Sequence, residues 1–189
     1  LSPAHHHVTT IAVYDGKDVD TFVRGQNLDE FPDHISRYKL LVTYNGKQFD
    51  VPFLRTQFDG LPLDQAHIDL RFVLAALGYR GGLKGCERQL GIDRGAGLRD
   101  VDGFMAVRLW RAHERGDRRA LPALLRYNVE DVVNLKWLME TAYNMAVSKL
   151  PIDVKSLSVA PPFHTNLPFD PSIIDELGGQ DAVYERAGL

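Results

Sequence analysis

Two aspartates stand where a carboxylate needs a physical reason to be. Asp131 lies in a segment of helical periodicity. At about 100° per residue, Leu124, Leu135 and Leu138 all project within about 40° of it, so it should sit inside an apolar stripe that faces the core. Tyr127 falls on the same side one turn earlier. A carboxylate so placed costs several kcal/mol unless it is ion-paired, hydrogen-bonded or bound to a cation. A buried pair with an arginine, a cap for another helix and a metal site are therefore all open at this position.

The second aspartate closes the run Asn45-Gly46-Lys47-Gln48-Phe49-Asp50 and precedes Val51-Pro52-Phe53-Leu54. Here an apolar strand ends, a glycine lets the backbone turn, and Asp50 opens a helix. Functional groups of α/β sheets gather just beyond the carboxyl ends of strands. Aspartate is also a good helix N-cap, so Asp50 has a structural reading beside the chemical one.

The elements that must carry these residues can be read from hydrophobic pattern and turn residues. Val8–Tyr14 is predicted as a strand, Asp15-Gly16 as a turn and Val19–Val23 as its partner. A helix over about Asp29–Ser36, capped by Asn27 or Asp29, should follow. Lys39–Thr43 is a continuous apolar run, as expected of a strand buried on both sides. A helix from about Asp50 holds Pro52 in its first turn, Ala66–Asp69 is a short strand, and Leu70–Leu77 a helix. Three helices come next, over Leu83–Leu90, from the cap Asp102 to Arg115, and from the cap Asp117 to about Val147. Five of the ten prolines fall between Pro151 and Pro171, so the tail should be irregular, with a short helix near Ser172–Leu177. Strands first and helices last describe an α/β fold, a mixed sheet flanked by helices.

Together these residues resemble a known group. Asn45-Gly46 to Phe49-Asp50 with Leu54 resembles the second exonuclease motif of the DEDD superfamily, and Tyr127-Asn128-Val129-Glu130-Asp131 with Leu135 its third motif in the tyrosine-containing (DEDDy) form. The whole stretch to about Leu138 is most similar to YprB-type ribonuclease-H-like exonuclease domains. Further matches are His67-Ile68-Asp69-Leu70, Gly81-Gly82-Leu83-Lys84 and the segment Asp102–Trp110. The resemblance implies a ribonuclease-H-like fold and a 3′→5′ exonuclease that hydrolyses single-stranded DNA or RNA from its 3′ end. It implies two Mg²⁺ or Mn²⁺ ions, since hard oxygen donors select such metals. Asp50 and Asp131 would be metal ligands and Tyr127 would orient the attacking water. An ordinary tyrosine pKa near 10 makes orientation the better role than proton abstraction.

The chain departs from that pattern at its start. The first motif, a strand bearing Asp-x-Glu that runs toward a Leu-Ser-Pro-like segment, has no counterpart ahead of Leu1-Ser2-Pro3. The expectation is that this central strand and two of four metal ligands are missing, and that the polypeptide as given is inactive. The alternative function is a non-catalytic nucleic-acid-binding or scaffold domain that keeps the fold.

Charge gives only modest support. The net charge is −3, yet Arg80–Arg126 holds eleven basic and six acidic residues, a local +5 that can attract phosphates or simply be solvated helix faces. Within that block Lys84 and Arg88 are one turn apart, readable as phosphate contacts or as surface. Asn45 and Phe49 are the other candidate nucleic-acid contacts, Phe49 by stacking on a base, with core packing as its competing role. Asp69 is either a helix cap or a neighbour of the site. Trp110 and Trp137 read as core, and His5-His6-His7 as a polar loop. The single cysteine, Cys86, excludes an internal disulfide and reads as packing in a cytoplasmic protein. No Walker loop, Gly-x-Ser-x-Gly or Gly-x-Gly-x-x-Gly motif supports another enzyme class. The domain division expected is 1–149 for the exonuclease-like domain and 150–189 for a Pro-rich tail packed on it.

Overall fold

A computed structural model describes residue 3 and residues 6–94, 97, 101, 103–163 and 165–178. The first hairpin forms as its β-branched residues dictate: β1 (Thr10–Tyr14) pairs antiparallel with β2 (Val19–Val23), Thr10 opposite Val23 and Tyr14 opposite Val19. Asp15 makes the turn. Its Oδ1 accepts from the amides of Lys17 and Asp18, both at 2.8 Å, while Gly16 takes a φ of 99°. Those two amides hold the Asp15 carboxyl below its ordinary pKa.

A 3-10 turn, Leu28–Glu30, leads into α1 (Phe31–Ile35). Neither predicted cap is used, since the residue ahead of α1 is Glu30 and makes no side-chain bond. Asn27 instead turns back to β2, with Oδ1 accepting from Val23 N at 2.8 Å and Nδ2 donating to Thr21 O at 3.0 Å. Closing the strand end takes precedence over capping.

The element that matters most for the site is a parallel pair. β3 (Leu40–Thr43) runs beside β4 (Ala66–Asp69), with Leu40 opposite Ala66 and Thr43 opposite Asp69. Between them the chain crosses through α2 (Asp50–Gln57), and β4 passes directly into α3 (Leu70–Ala76). Both strands therefore end at one edge. β3 is half-buried rather than enclosed on both faces, and its first residue, Leu40, is 43% exposed, because among the described residues β4 is its only ladder partner.

The remaining helices are α4 (Gly82–Gln89), α5 (Gly103–Glu114) and α6 (Ala120–Val147). Asp117 accepts from Arg119 N at 2.9 Å, so the expected cap is present although regular helix begins at Ala120. The other expected cap, Asp102, lies outside the described residues, as do Leu1, Ser2 and His5. His6 and His7 are exposed.

The chain divides into two compact units, Leu1–Asp93 with Asp131–Phe163, and Arg94–Glu130 with His164–Leu189. The first has two cores. Phe22, Leu28, Phe31, Ile35 and Leu61 pack in one. Leu70, Leu74, Cys86, Ile92, Leu135, Leu138 and Ala142 pack in the other, with Trp137 against them. Cys86 is fully buried, as its packing role requires. Tail residues close this unit: Tyr14 meets Phe163 with ring centroids 5.3 Å apart, and Asn144 exchanges hydrogen bonds with Leu157. In the second unit Leu109, Ala123 and Leu124 pack with Ile173, Ile174 and Leu177 of the helical residues 172–178, and Trp110 lies against them. Arg119 fastens it by donating to Glu176 at 2.7 and 2.8 Å. The described elements make a mixed α/β structure with small sheets flanked by helices.

Candidate active site

The site is built from the carboxyl edge of the parallel pair. Thr43 ends β3, and two residues on, Asn45 takes a φ of 64°, a left-handed conformation that asparagine tolerates better than most side chains. Gly46 is buried against Thr43. A Cβ added there would strike Thr43 Oγ1 and come within 2.5 Å of its Cβ and 2.7 Å of its Cγ2. Asn-Gly is thus the pair this turn demands.

Asp69, at the end of β4, holds the turn in place. Its Oδ1 accepts from Asn45 N at 2.7 Å and from Arg71 N at 3.1 Å, and its Oδ2 accepts from Lys47 N at 3.1 Å. The residue is 4% exposed. It caps α3, as expected, and also ties the β3 turn to β4, which no local pattern foretold.

The chain then enters α2 through bonds from Phe49 N to Asn45 O (3.0 Å) and from Val51 N to Gly46 O (2.9 Å). Asp50 is the first residue of α2. The cap position is Phe49, with no side-chain bond, so the capping role that could have explained Asp50 is not the one it has. Its side chain reaches solvent, yet dense surrounding protein still strips water from the carboxyl. That desolvation is the main reason its pKa is pushed up to about 6. Repulsion from Asp131 and then Asp69 adds to it, against a lowering by its own backbone amide. The carboxyl is thus open at the surface yet poorly hydrated.

A carboxyl whose folded pKa lies above its unfolded value keeps its proton longer in the folded state. Its contribution to stability falls as pH rises from about 4 toward 6 and stays lost above that. A bound cation would reverse this penalty.

Asp131 is half-buried on α6, one turn before the buried Leu135. It is near enough to Asp50 for its charge to help raise that group's pKa. Tyr127 precedes Asp131 by four residues on α6, and its ring packs against the core of the second unit. Phe49 is 42% exposed and its ring meets that of Phe53 at a tilt, centroids 5.0 Å apart, so it is not a core residue. As the cap of a surface helix it has no interior face to fill. Lys84 is half-buried and Arg88 exposed, one turn apart on α4. The side chain of Asn45 accepts from Arg71 Nη1 at 2.5 Å.

Pattern reading missed three groups. Arg71 and Gln48 join Asn45 through Nη1 of the arginine, 2.8 Å from Gln48 Oε1. Glu87 on α4, 1% exposed, accepts from Asn134 Nδ2 on α6 at 3.0 Å, tying the two helices inside the core. For Glu87 the available signal was a polar residue on an otherwise apolar helix face, but its partner is distant in sequence; Arg71 and Gln48 are exposed and carried no such signal.

The donor chemistry of Asp50 and Asp131 suits a hard divalent cation. Among the described residues, however, no group of three or more His, Cys, Asp or Glu side chains is arranged to hold a metal ion. No helix among the described residues is long and apolar enough to cross a membrane.

A mixed α/β frame of small sheets flanked by helices, with Asp50 just beyond the carboxyl edge of its parallel strands, is consistent with a ribonuclease-H-like domain. A sequence model described as the RNase H superfamily matches residues 1–143, and the chain belongs to that superfamily. Its members usually hydrolyse nucleic acids and typically use divalent metal ions. No curated protein matches, and no solved structure matches.

Proposed function

We propose that this chain is the body of a 3′→5′ exonuclease of the DEDDy type, related to YprB-type domains, acting on single-stranded DNA or RNA. The observation that carries the reading is the Asp50 carboxyl, which opens α2 beyond the end of β3 and is pushed up to about 6, chiefly by desolvation, with the charge of Asp131 on α6 adding to it. Like charges are kept together at such a site when a cation is to be held between them. Asp50 and Asp131 would hold two Mg²⁺ or Mn²⁺ with further carboxylates supplied by an Asp-x-Glu strand. Bound there, the ions would supply an activated water and charge stabilisation at the scissile phosphate. Tyr127 would orient the water through its hydroxyl, and the exposed ring of Phe49 offers a face for the terminal base. Lys84 and Arg88 would meet the backbone further along the strand. Residues 1–149 would form the catalytic domain and 150–189 its packed tail.

The test uses 3′-labelled DNA and RNA oligonucleotides with Mg²⁺ or Mn²⁺. The 189 residues alone, with two of the four acidic ligands, are expected to leave the label in place. The same chain preceded by a strand bearing Asp-x-Glu should release nucleotides from the 3′ end. Asp50→Asn and Asp131→Asn should each slow it on the order of 100-fold or more. Full activity of the extended Asp131→Asn chain would refute the site. Oligonucleotide binding without shortening, in the extended chain, would favour a non-catalytic nucleic-acid-binding domain instead.

A further inference from the structure

The geometry points to Arg71 as a backbone-phosphate contact for the nucleic-acid strand, with Asn45 and Gln48 as the residues that aim it. This rests on the nucleic-acid reading above and goes beyond it by naming the group that meets the phosphate and the groups that position it.

Arg71 follows Asp69 and Leu70 directly, so it stands at the same carboxyl edge of the parallel pair as the turn that leads to Asp50. Its side chain is exposed, and a free surface arginine would sweep many rotamers. Here Nη1 donates to two carbonyl oxygens, Asn45 Oδ1 and Gln48 Oε1, both on that turn. These partners are neutral carboxamides. They fix the guanidinium without neutralising it, and Arg71 has no carboxylate within ion-pair distance among the described residues. Nη2 and Nε donate to no described residue. An arginine with Nε and Nη2 open and its fork already oriented loses less freedom on meeting a phosphate than a mobile lysine would.

The surroundings fit the same ligand. Lys47 and Phe49 belong to the turn that holds Arg71, and both are exposed. A cation beside an exposed aromatic ring is how single strands are held without regard to sequence. The left-handed backbone of Asn45 and the bond from its amide to Asp69 turn the Asn45 side chain toward Arg71. Asn45 therefore acts through Arg71, where the motif alone had suggested a direct contact.

The experiment measures binding of a fluorescein-labelled single-stranded oligothymidine by anisotropy, in chelator to remove divalent ions, across a series of salt concentrations. The full 189-residue chain is compared with Arg71→Gln, Arg71→Lys and Gln48→Ala. Each phosphate contact on a single strand contributes about 0.7 to the slope of log affinity against log salt. Arg71→Gln should weaken binding by about 5- to 10-fold and lower the slope by about 0.7. Arg71→Lys should keep the slope and lose about 3-fold through poorer orientation. Gln48→Ala should likewise keep the slope, with a loss of about 2-fold. Thermal melting of each variant establishes that it is folded. If Arg71→Gln does not fold, Arg71→Lys carries the test, and affinity equal to the parent's overturns the proposal. A folded Arg71→Gln with the parent's slope overturns it too, leaving the nuclease reading intact. A parent chain that binds no oligonucleotide at any salt removes both.

Discussion

Asp69→Ala is expected to destabilise the protein by about 3–5 kcal/mol, the largest loss of any single substitution near the site. The carboxylate is buried and accepts from three backbone amides, those of Asn45, Lys47 and Arg71. Alanine leaves all three without their acceptor. A buried donor left unsatisfied costs about 1–3 kcal/mol, reduced where water can enter, as it can near exposed Lys47. Asparagine separates charge and geometry. Its Oδ1 can still accept from Asn45 and Arg71, but its Nδ2 would point a donor at the Lys47 amide, so Asp69→Asn should lose roughly half as much. Urea unfolding at constant m-value measures both. An Asp69→Ala loss below about 1 kcal/mol would mean the turn does not depend on this residue.

Gly46→Ala should cost about 2–4 kcal/mol for a different reason. The added methyl would lie 2.5 Å from Thr43 Cβ, and that atom is fixed by the strand backbone rather than by a rotamer. Thr43→Ala removes Oγ1 and Cγ2 but leaves the Cβ where it is. The double variant should therefore remain destabilised, recovering at most a part of the loss. Complete recovery would show that the clash lies only in the flexible end of the threonine. Because Gly46 stands four residues before Asp50, either variant should also blunt any divalent-ion affinity more than its stability loss alone explains.

How far the sequence foretold this arrangement depends on range. The strand Val19–Val23, the Asp15-Gly16 turn and the start of α2 at Asp50 follow from two to four adjacent residues, and each lies where those residues place it. Local signals failed where a longer-range partner outcompeted them. Asn27 has the chemistry of a cap but is taken by β2, and Phe49 has the chemistry of a core residue but stands at a helix end in solvent. The tie from Asp69 to the β3 turn and the roles of Arg71 and Glu87 could not be read, because each depends on residues more than twenty positions away, and the first two also on the parallel register of β3 with β4. The periodicity around Asp131 did foretell the burial of Leu124, Leu135 and Leu138. The turn after β3 did foretell a carboxylate at the carboxyl edge of a strand.

The most direct test is a titration of the Asp50 side-chain carboxyl by ¹³C NMR, in the parent chain and in Asp131→Asn, each with and without Mg²⁺. The parent should titrate near pH 6 without metal. Asp131→Asn should lower that midpoint while leaving it above the ordinary value of about 4, because desolvation outweighs the neighbour's charge. Mg²⁺ should drive the parent's midpoint down and affect the variant less. A midpoint near 4, unmoved by the substitution and by the ion, would show that the two aspartates do not share a cation site.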